Sequence, residues 1–347
     1  MIARRTIPLL RAFTTCLSVS LTGILIFSSS LFADTAIDEE SLLPFPATDQ
    51  LVVAPRDGKP GRTITGVIED ISGQTIVLRR SASDVEVFTL RDVVRIDFRK
   101  SLEFDEGLRQ LQKNEHRAAI RSLRTAAATE PRKWAVREIN ANLARACVND
   151  RKFEDALKTV ESIIELDPNT RHVVELPLVW DERLPDGERI VLHDVDLESP
   201  SVARRLVAAS ALLHSPQFQA DCVAVLKSMN KSSNTRLQTL AETQLWRLKL
   251  LIPATLAASD VELWHRQLVR LDRRTRSGPE FLCGRAHLLL HEYDLAATSL
   301  LWMPMLEPLD PETTRASLTD AISALELAGR QHEANTLRAG AISVSGP

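Results

Sequence analysis

Two histidines and a glutamate near the end of the chain are the residues best suited to metal chemistry. His287 and His291 are four residues apart, and Glu292 follows directly. On one face of a helix two such imidazoles could share a zinc ion. His287, however, falls at an apolar, core-facing position of the helix, and no third ligand can be named. The sequence therefore predicts no metal site, no cofactor and no catalytic residues.

The other potentially reactive side chains have structural interpretations. Cys147, Cys222 and Cys283 each lie in an apolar helical run, which indicates buried thiols rather than nucleophiles or disulfide partners. Asp194, Asp196 and Glu198 alternate within an acidic segment, but the central glycine of a calcium loop is absent, so solvated acids are expected. An enzyme with an unrecognised site between residues 169 and 200 remains an alternative.

A repeated spacing of small and apolar residues predicts helical hairpins. Steps of four, three and five residues put three side chains on one helix face and end the helix at a proline. The three copies are Ala119, Leu123, Ala126 and Pro131; Ala156, Val160, Ile163 and Pro168; and Ala296, Leu300, Met303 and Pro308. A small residue lies twelve positions before each alanine (Gly107, Ala144, Gly284), and a ring lies three before it (His116, Phe153, Tyr293).

These segments resemble the tetratricopeptide repeat family over residues 104–131, 136–168 and 280–308, and Gly329 with Ala334 suggests a degenerate fourth unit. The tryptophan expected early in the first helix is missing from all three copies. The resemblance implies an α-solenoid that binds a protein or peptide in a concave groove. It carries over no fixed binding residues; our candidates on the first helices are Arg109, Lys113, Asn140 and Arg145.

Before the helices, the period of the sequence changes to that of β-strands. Residues 62–69, 74–80, 85–90 and 93–98 are candidate strands, with a fifth at 51–54. In the last strand Val94, Ile96 and Phe98 are expected to share one face. Residues 51–100 therefore predict a small five-stranded SH3-like or Sm-like β-barrel, which we interpret as covering the end of the first helix pair. An RNA-binding barrel is an alternative if the protein stays in the cytoplasm.

The remaining segments complete the predicted domain organisation. Residues 101–168 hold the first two repeats, and residues 169–200 form an inserted hairpin or loop with strands at 172–180 and 190–193 that projects from the solenoid. Residues 201–345 return to helical repeats, including the unit at 280–308. Trp246, Trp264 and Trp302 are expected in the core rather than on a ligand platform.

The N-terminus has the pattern of a secretory signal. Three arginines precede an apolar run, and small residues lead to a cleavage site after Ala33, so residues 1–33 are predicted to be removed and 34–50 to form a linker. A membrane anchor over 17–33 is the alternative. The net charge of -3 becomes -6 without the three arginines, which disfavours nonspecific nucleic-acid binding.

Together these patterns predict a mainly α protein: a helical-repeat solenoid preceded by a small β-barrel, in the periplasm or secreted. The predicted function is a non-enzymatic scaffold whose partner is another protein or peptide, with no nucleic acid and with the membrane reached only through the signal or anchor. The sequence leaves the oligomeric state open. An accessory domain of an envelope enzyme complex is a further alternative.

Overall fold

The computed structural model describes residues 49–55, 60–181, 183 and 193–344. Several predicted segments lie outside the described residues. They are the signal peptide, the alternative membrane anchor, most of the linker and residues 190–192 of the second predicted strand of the insertion. Within the described part, no helix combines the length and the apolar character needed to cross a membrane.

Five antiparallel strands open the described chain. They are β1 (Asp49–Val53), β2 (Arg62–Ser72), β3 (Thr75–Ser81), β4 (Asp84–Thr89) and β5 (Val93–Asp97), in the order β4-β3-β2-β1-β5. All five predicted strands are present, and β1 extends back to Asp49, inside the predicted linker. Alternate residues of β2, among them Ile64 and Ile68, point into the sheet's own core. The described pairings show a sheet with β4 and β5 at its edges.

The predicted face of β5 is wrong at one residue. Val94 is 68% exposed, whereas Ile96 and Phe98 pack on the core together with Val93. The cause is a bulge, because Val52 pairs with Arg95 while the next residue, Val53, pairs with Val93. The bulge leaves Val94 without a partner and turns it outward.

Twelve helices follow the sheet in the described residues. They are α1 (Leu102–Gln112), α2 (His116–Thr129), α3 (Lys133–Asn149), α4 (Phe153–Leu166), α5 (Val202–Leu212), α6 (Gln219–Ser228), α7 (Thr235–Leu251), α8 (Ala258–Leu268), α9 (Ser277–Leu289), α10 (Tyr293–Leu306), α11 (Pro311–Leu327) and α12 (Gln331–Val344). Helices that are adjacent in the chain make most of the contacts between helices. The protein is thus mainly helical and repeat-like, with a β region at one end of the described chain.

Four helix pairs share one turn geometry. A residue with positive φ follows the first helix in α1–α2, α3–α4, α9–α10 and α11–α12: Asn114, Arg151, His291 and Gly329. In each turn the amide of the next residue donates to a carbonyl five positions earlier, as from Glu115 to Gln110 at 2.9 Å. This is the Schellman motif. Each positive-φ residue lies five positions before a buried alanine (Ala119, Ala156, Ala296, Ala334), so the last helix pair shares the turn and the buried alanine of the other three.

The small residues of the repeated spacing bring paired helices close together. A Cβ added to Gly107 would lie 2.7 Å from Cγ of Leu123, and one added to Gly284 would lie 2.5 Å from Cγ of Leu300. Ala119, Ala156 and Ala296 have no exposed surface. The rings of Phe153 and Tyr293 are half-buried at the starts of α4 and α10, and Pro131, Pro168 and Pro308 lie just past the ends of α2, α4 and α10. The sequence spacing therefore predicted real helix–helix contacts.

The sheet packs mainly against α3 rather than against the first helix pair. Trp134 of α3 is buried in the core of the sheet, and its Nε1 donates to the carbonyl of Ile68 at 2.9 Å. Arg137 donates to the carbonyl of Ile71 at 2.9 Å, and Phe98 meets the edge of the Trp134 ring at 4.9 Å between centroids. Sheet and helices therefore share a buried, hydrogen-bonded interface.

The expected projecting strand at 172–180 is not formed. The chain instead makes a short 3-10 helix, Arg171–Glu175, and then continues without regular secondary structure, buried within the helical region. We call residues 176–181 the inner strap. Leu176, Leu178, Val179 and Trp180 are each at most 8% exposed, so apolar side chains are covered on both sides of the chain. A strand exposed on one face would show alternating buried and exposed residues. The neighbouring residues Leu178, Val179 and Trp180 are all buried, so this segment is part of the hydrophobic core.

The inner strap contacts α5 and α9, and Arg183 just beyond it contacts α11. The amide of Val179 donates to Oγ of Ser210 on α5 at 2.8 Å. Trp180 lies directly over Gly278 of α9, where a Cβ would come within 2.2 Å of its ring. Asp181 accepts from Arg285 of α9 at 3.1 Å, and Arg183 bridges Asp181 to Asp320 of α11. Part of the face expected to hold a partner peptide is thus filled by the chain itself.

Candidate binding cleft

A polar cleft of about 1360 Å³ remains open beside the start of the inner strap. Its floor is the 3-10 helix, Arg171–Glu175. Its walls are α3, α7 and the connection between α8 and α9, and the turns of the sheet meet it at Gln74, Leu90 and Arg91. The charged side chains that line it are Arg91, Arg145, Arg171, Arg236, Arg270, Arg274, Glu138, Glu175, Glu242 and Asp272.

The first ion pair on the floor centres on Glu138. Its Oε1 accepts from Nη2 of Arg171 at 2.8 Å and lies 2.9 Å from Nε2 of His172. Burial alone would raise the pKa of Glu138, but the charges and hydrogen bonds of His172 and Arg171 outweigh it and lower the pKa to about 2. Glu138 is therefore fully ionised at neutral pH and a poor general base.

A second ion pair joins the floor to both walls. Glu175, whose side chain is 5% exposed, accepts from Arg274 at 2.6 Å and from Arg145 at 3.3 Å. Burial raises the pKa of Glu175 despite the opposing effect of Arg145 and His172. Nε of Arg145 and Nε of Arg274 are buried and have no hydrogen-bond partner among the described atoms. Two guanidinium donors at the floor are therefore unsatisfied.

The third ion pair holds the connection between α8 and α9. Asp272 accepts from Nε of Arg236 on α7 at 2.9 Å and from the hydroxyl of Thr275 at 2.9 Å. Glu242 accepts from Gln267 at 2.7 Å. The four carboxylates of the cleft are thus engaged by neighbouring donors.

Two cleft arginines are different. Arg91 and Arg270 are exposed, and no hydrogen bond or ion pair joins either guanidinium group to another described residue. Around them lie uncharged polar side chains: Gln74, Asn142, Thr235, Thr239, Thr243 and Gln267. Trp246, stacked on Trp264 at 4.7 Å between centroids, adds an apolar surface. The cleft can therefore offer charge, hydrogen bonds and a small apolar surface to one ligand.

Of the four predicted groove residues, only Arg145 lines this cleft. Arg109 pairs with Glu106 on α1, Lys113 is exposed at the end of the same helix, and Asn140 is half-buried on α3 away from the cleft. The repeat spacing did not predict the other cleft arginines, which are Arg91, Arg171, Arg236, Arg270 and Arg274. The one local signal was the basic run 270–276, where four of seven residues are arginine.

His287 and His291, the two histidines whose spacing could suit a metal ion, do not contact each other. Nε2 of His287 lies 2.7 Å from Nε2 of His265 on α8, and Nδ1 of His287 lies 2.6 Å from Glu292, whereas His291 contacts the Tyr293 hydroxyl at 2.9 Å. At 2.7 Å one ring nitrogen donates to the other, so the two imidazoles are hydrogen-bonded partners. The described residues contain no group of three or more His, Cys, Asp or Glu side chains placed to hold a metal ion.

Cys147, Cys222 and Cys283 are buried, as the sequence indicates, and no disulfide joins these three described cysteines. Burial raises the pKa of Cys147 and of Cys222 to about 11 and that of Cys283 well above its usual value. Such thiols are protonated at neutral pH and unreactive. Trp246 and Trp264 are also buried, while Trp302 is half-buried beneath Arg276.

Among the acids of the predicted insertion, Asp196 accepts from the amide of His193 at 2.9 Å and lies 3.7 Å from Arg204. This carboxylate serves a local turn and an ion pair. No known protein family, curated protein or solved structure matches the chain.

Proposed function

We propose that this protein is a non-enzymatic adaptor of the bacterial periplasm or cell envelope that holds a segment of a partner protein in the polar cleft. Its helices would form a tetratricopeptide-like α-solenoid, and its sheet a small barrel-like module fixed to α3. The observation that carries the proposal is the open cleft, whose walls come from α3 and α7 and whose floor is the chain's own 3-10 helix.

The size and lining of the cleft support a peptide ligand. A cleft of about 1360 Å³ exceeds the volume usual for small-molecule sites. Thr235 and Thr239 lie four residues apart on α7 and present hydroxyls on one wall, whereas the hydroxyl of buried Thr243 donates to the carbonyl of Leu240. Hydroxyl and amide side chains can bond the backbone of an extended segment whatever its sequence.

The chemistry of the charged groups supports binding over catalysis. Glu138 has a pKa of about 2, and its carboxylate is held by Arg171 and His172. Glu175 is enclosed between two arginines. A general base needs both a pKa near the working pH and access to the substrate. The pKa of Glu138 is far below neutral pH, and the Glu175 carboxylate is buried between its two arginines. Neither carboxylate therefore meets both requirements.

Site-specific photo-crosslinking in cells tests the proposal. A photoreactive phenylalanine analogue replaces Thr239 in the cleft, and the matched control replaces Thr319 on α11. Both threonines donate to the carbonyl four residues earlier and lie in the middle of a helix. We expect a discrete protein adduct from position 239 and none from 319. Identical adduct patterns at both positions, or none at 239, would refute the proposed function.

A further inference from the structure

The charge of the cleft differs in sign from that of the whole chain. Six arginines and four carboxylates line the cleft, an excess of two positive charges, whereas the chain carries a net charge of -3. A local field of this sign attracts negatively charged ligands to this part of the surface. The excess of positive charge is therefore local to the cleft, because the chain as a whole has more acidic than basic residues.

The excess is located at two side chains that are free to bind. Each cleft carboxylate already accepts a hydrogen bond from a neighbour, as Asp272 does from Arg236 and Glu242 from Gln267. Arg91 lies on the side of the cleft formed by the sheet, and Arg270 lies in the connection between α8 and α9. Neither guanidinium group has a hydrogen-bond or ion-pair partner among the described residues. A guanidinium group binds a carboxylate through two parallel hydrogen bonds.

The floor adds donors that lack an acceptor. Nε of Arg145 and Nε of Arg274 are buried without a partner, although the other nitrogens of both groups hold Glu175. A buried N–H group without an acceptor destabilises the empty site. An anionic group that reached the floor would satisfy these donors.

The surroundings select the class of anion. Threonine, asparagine and glutamine side chains line the walls and can bond a peptide backbone. A long nucleic acid would also meet the negative field of the rest of the protein, which disfavours a polyanion that extends beyond the cleft. A short peptide with a few carboxylates fits both conditions.

We propose that the cleft takes an acidic peptide segment, whose carboxylates are held by Arg91 and Arg270 and whose backbone is held by the polar side chains of α3 and α7. This inference rests on the proposed function and specifies the chemistry of the partner.

Fluorescence anisotropy with defined peptides tests it. The probe is a labelled octapeptide of alternating glutamate and serine, and the control peptide has glutamine in place of glutamate. We expect the acidic peptide to bind the full mature chain at least tenfold more tightly than the neutral one, with affinity that falls as salt rises. Equal affinity for the two peptides would overturn the inference.

Two double variants locate the binding. Arg91→Glu with Arg270→Glu should weaken binding of the acidic peptide at least tenfold. The matched control, Arg266→Glu with Arg315→Glu, changes two exposed arginines of α8 and α11 that also have no ion pair with described residues, and it should retain binding. Equal loss in both variants would show general charge attraction and refute a specific site. Thermal melting of each variant verifies that it is folded.

Two further results separate this inference from the proposed function. A partner crosslinked at position 239, together with equal affinity for the acidic and neutral peptides, would leave the function standing and refute the acidic specificity. A single-stranded oligothymidine that binds through Arg91 and Arg270 more tightly than the acidic peptide would also refute it.

Discussion

The first helices of the repeat region face two different kinds of neighbour. Between α5 and α11 they enclose the inner strap, whose apolar side chains are almost fully buried. Beside α3 and α7 they border a cleft lined by paired and unpaired charges. A helical face is thus buried in the core where the chain supplies an apolar segment to cover it. A helical face lined by arginines and carboxylates stays open to solvent, because burying charged groups has a high free-energy cost.

The largest expected effect belongs to the strap. Gly278→Ala adds a Cβ that would meet the Trp180 ring at 2.2 Å, so one of the two must move, and we expect the free energy of unfolding to fall by about 3 kcal/mol. Trp180→Ala should cost about 3–5 kcal/mol through the cavity it leaves. Urea denaturation followed by circular dichroism measures both.

Two controls sharpen this prediction. Gly340→Ala, in open space on α12, should leave stability unchanged or raise it by about 0.5–1 kcal/mol. In the double variant Gly278→Ala with Trp180→Leu, the smaller side chain should recover part of the loss, because the two positions are in contact. Strictly additive losses would show that the strap does not pack on α9 in this way.

The ion pair of Glu138 with Arg171 and His172 predicts that the free energy of unfolding depends on pH in the acidic range. The pKa of Glu138 is about 2 in the folded protein, against the ordinary glutamate value of 4.5 that is expected in the unfolded chain. Between these values the unfolded chain binds more protons, so the stabilisation is complete above about pH 4.5 and is lost as the pH falls through 2. It amounts to at most about 3 kcal/mol. Glu138→Gln should flatten the fall in unfolding free energy between pH 5 and 2.5.

The matched control for this prediction is Glu262→Gln, which changes an exposed carboxylate on α8 that has no hydrogen bond or ion pair with described residues. It should leave the wild-type pH profile intact. If Glu138→Gln kept the wild-type slope as well, the ion pair with Arg171 and His172 would not be formed in solution.

Substitutions at the positive-φ residues of the repeated turns should change stability by smaller amounts. Adding a side chain there should destabilise the protein, and removing one should stabilise it. Gly329→Ala places a side chain at φ 77° and should cost about 1 kcal/mol. Asn114→Gly removes the side chain from the same conformation at φ 60° and should stabilise by up to about 0.5 kcal/mol, since the added chain entropy of glycine offsets part of the gain. Thermal melting compares the pair, and matching signs would contradict a shared turn geometry.

The smallest effect on stability is expected at the open cleft. Arg91→Glu and Arg270→Glu change exposed side chains, so each should alter the free energy of unfolding by no more than about 0.5 kcal/mol. The same urea titrations measure this. A loss comparable with that of Trp180→Ala would mean that the cleft arginines support the fold rather than a ligand.

These two regions also differ in how much the sequence predicts. Local spacing predicted the strands, the hairpins and the packing of Gly107 and Gly284, because turns and helix faces depend on neighbours within a few residues. The exposure of Val94 was missed, since a bulge depends on the register with β1. The strap was mistaken for a strand because an apolar run does not reveal what covers it.

The cleft was harder still to predict. Its arginines come from β-sheet turns, α3, the 3-10 helix, α7 and the connection before α9, and no short spacing joins them. Arg145 was predicted because it lies on a first helix of a recognised pair. Which arginines keep a free guanidinium depends on long-range pairing, such as that of Arg274 with Glu175, and pairing of this kind has no signature in one sequence.

The most direct test of the account is photo-crosslinking from position 239 in cells, repeated with Arg91→Glu and Arg270→Glu in the same chain. We expect one discrete partner adduct that is lost in the arginine variant, while position 319 gives none. Adducts that are the same from positions 239 and 319 would contradict a partner-binding cleft.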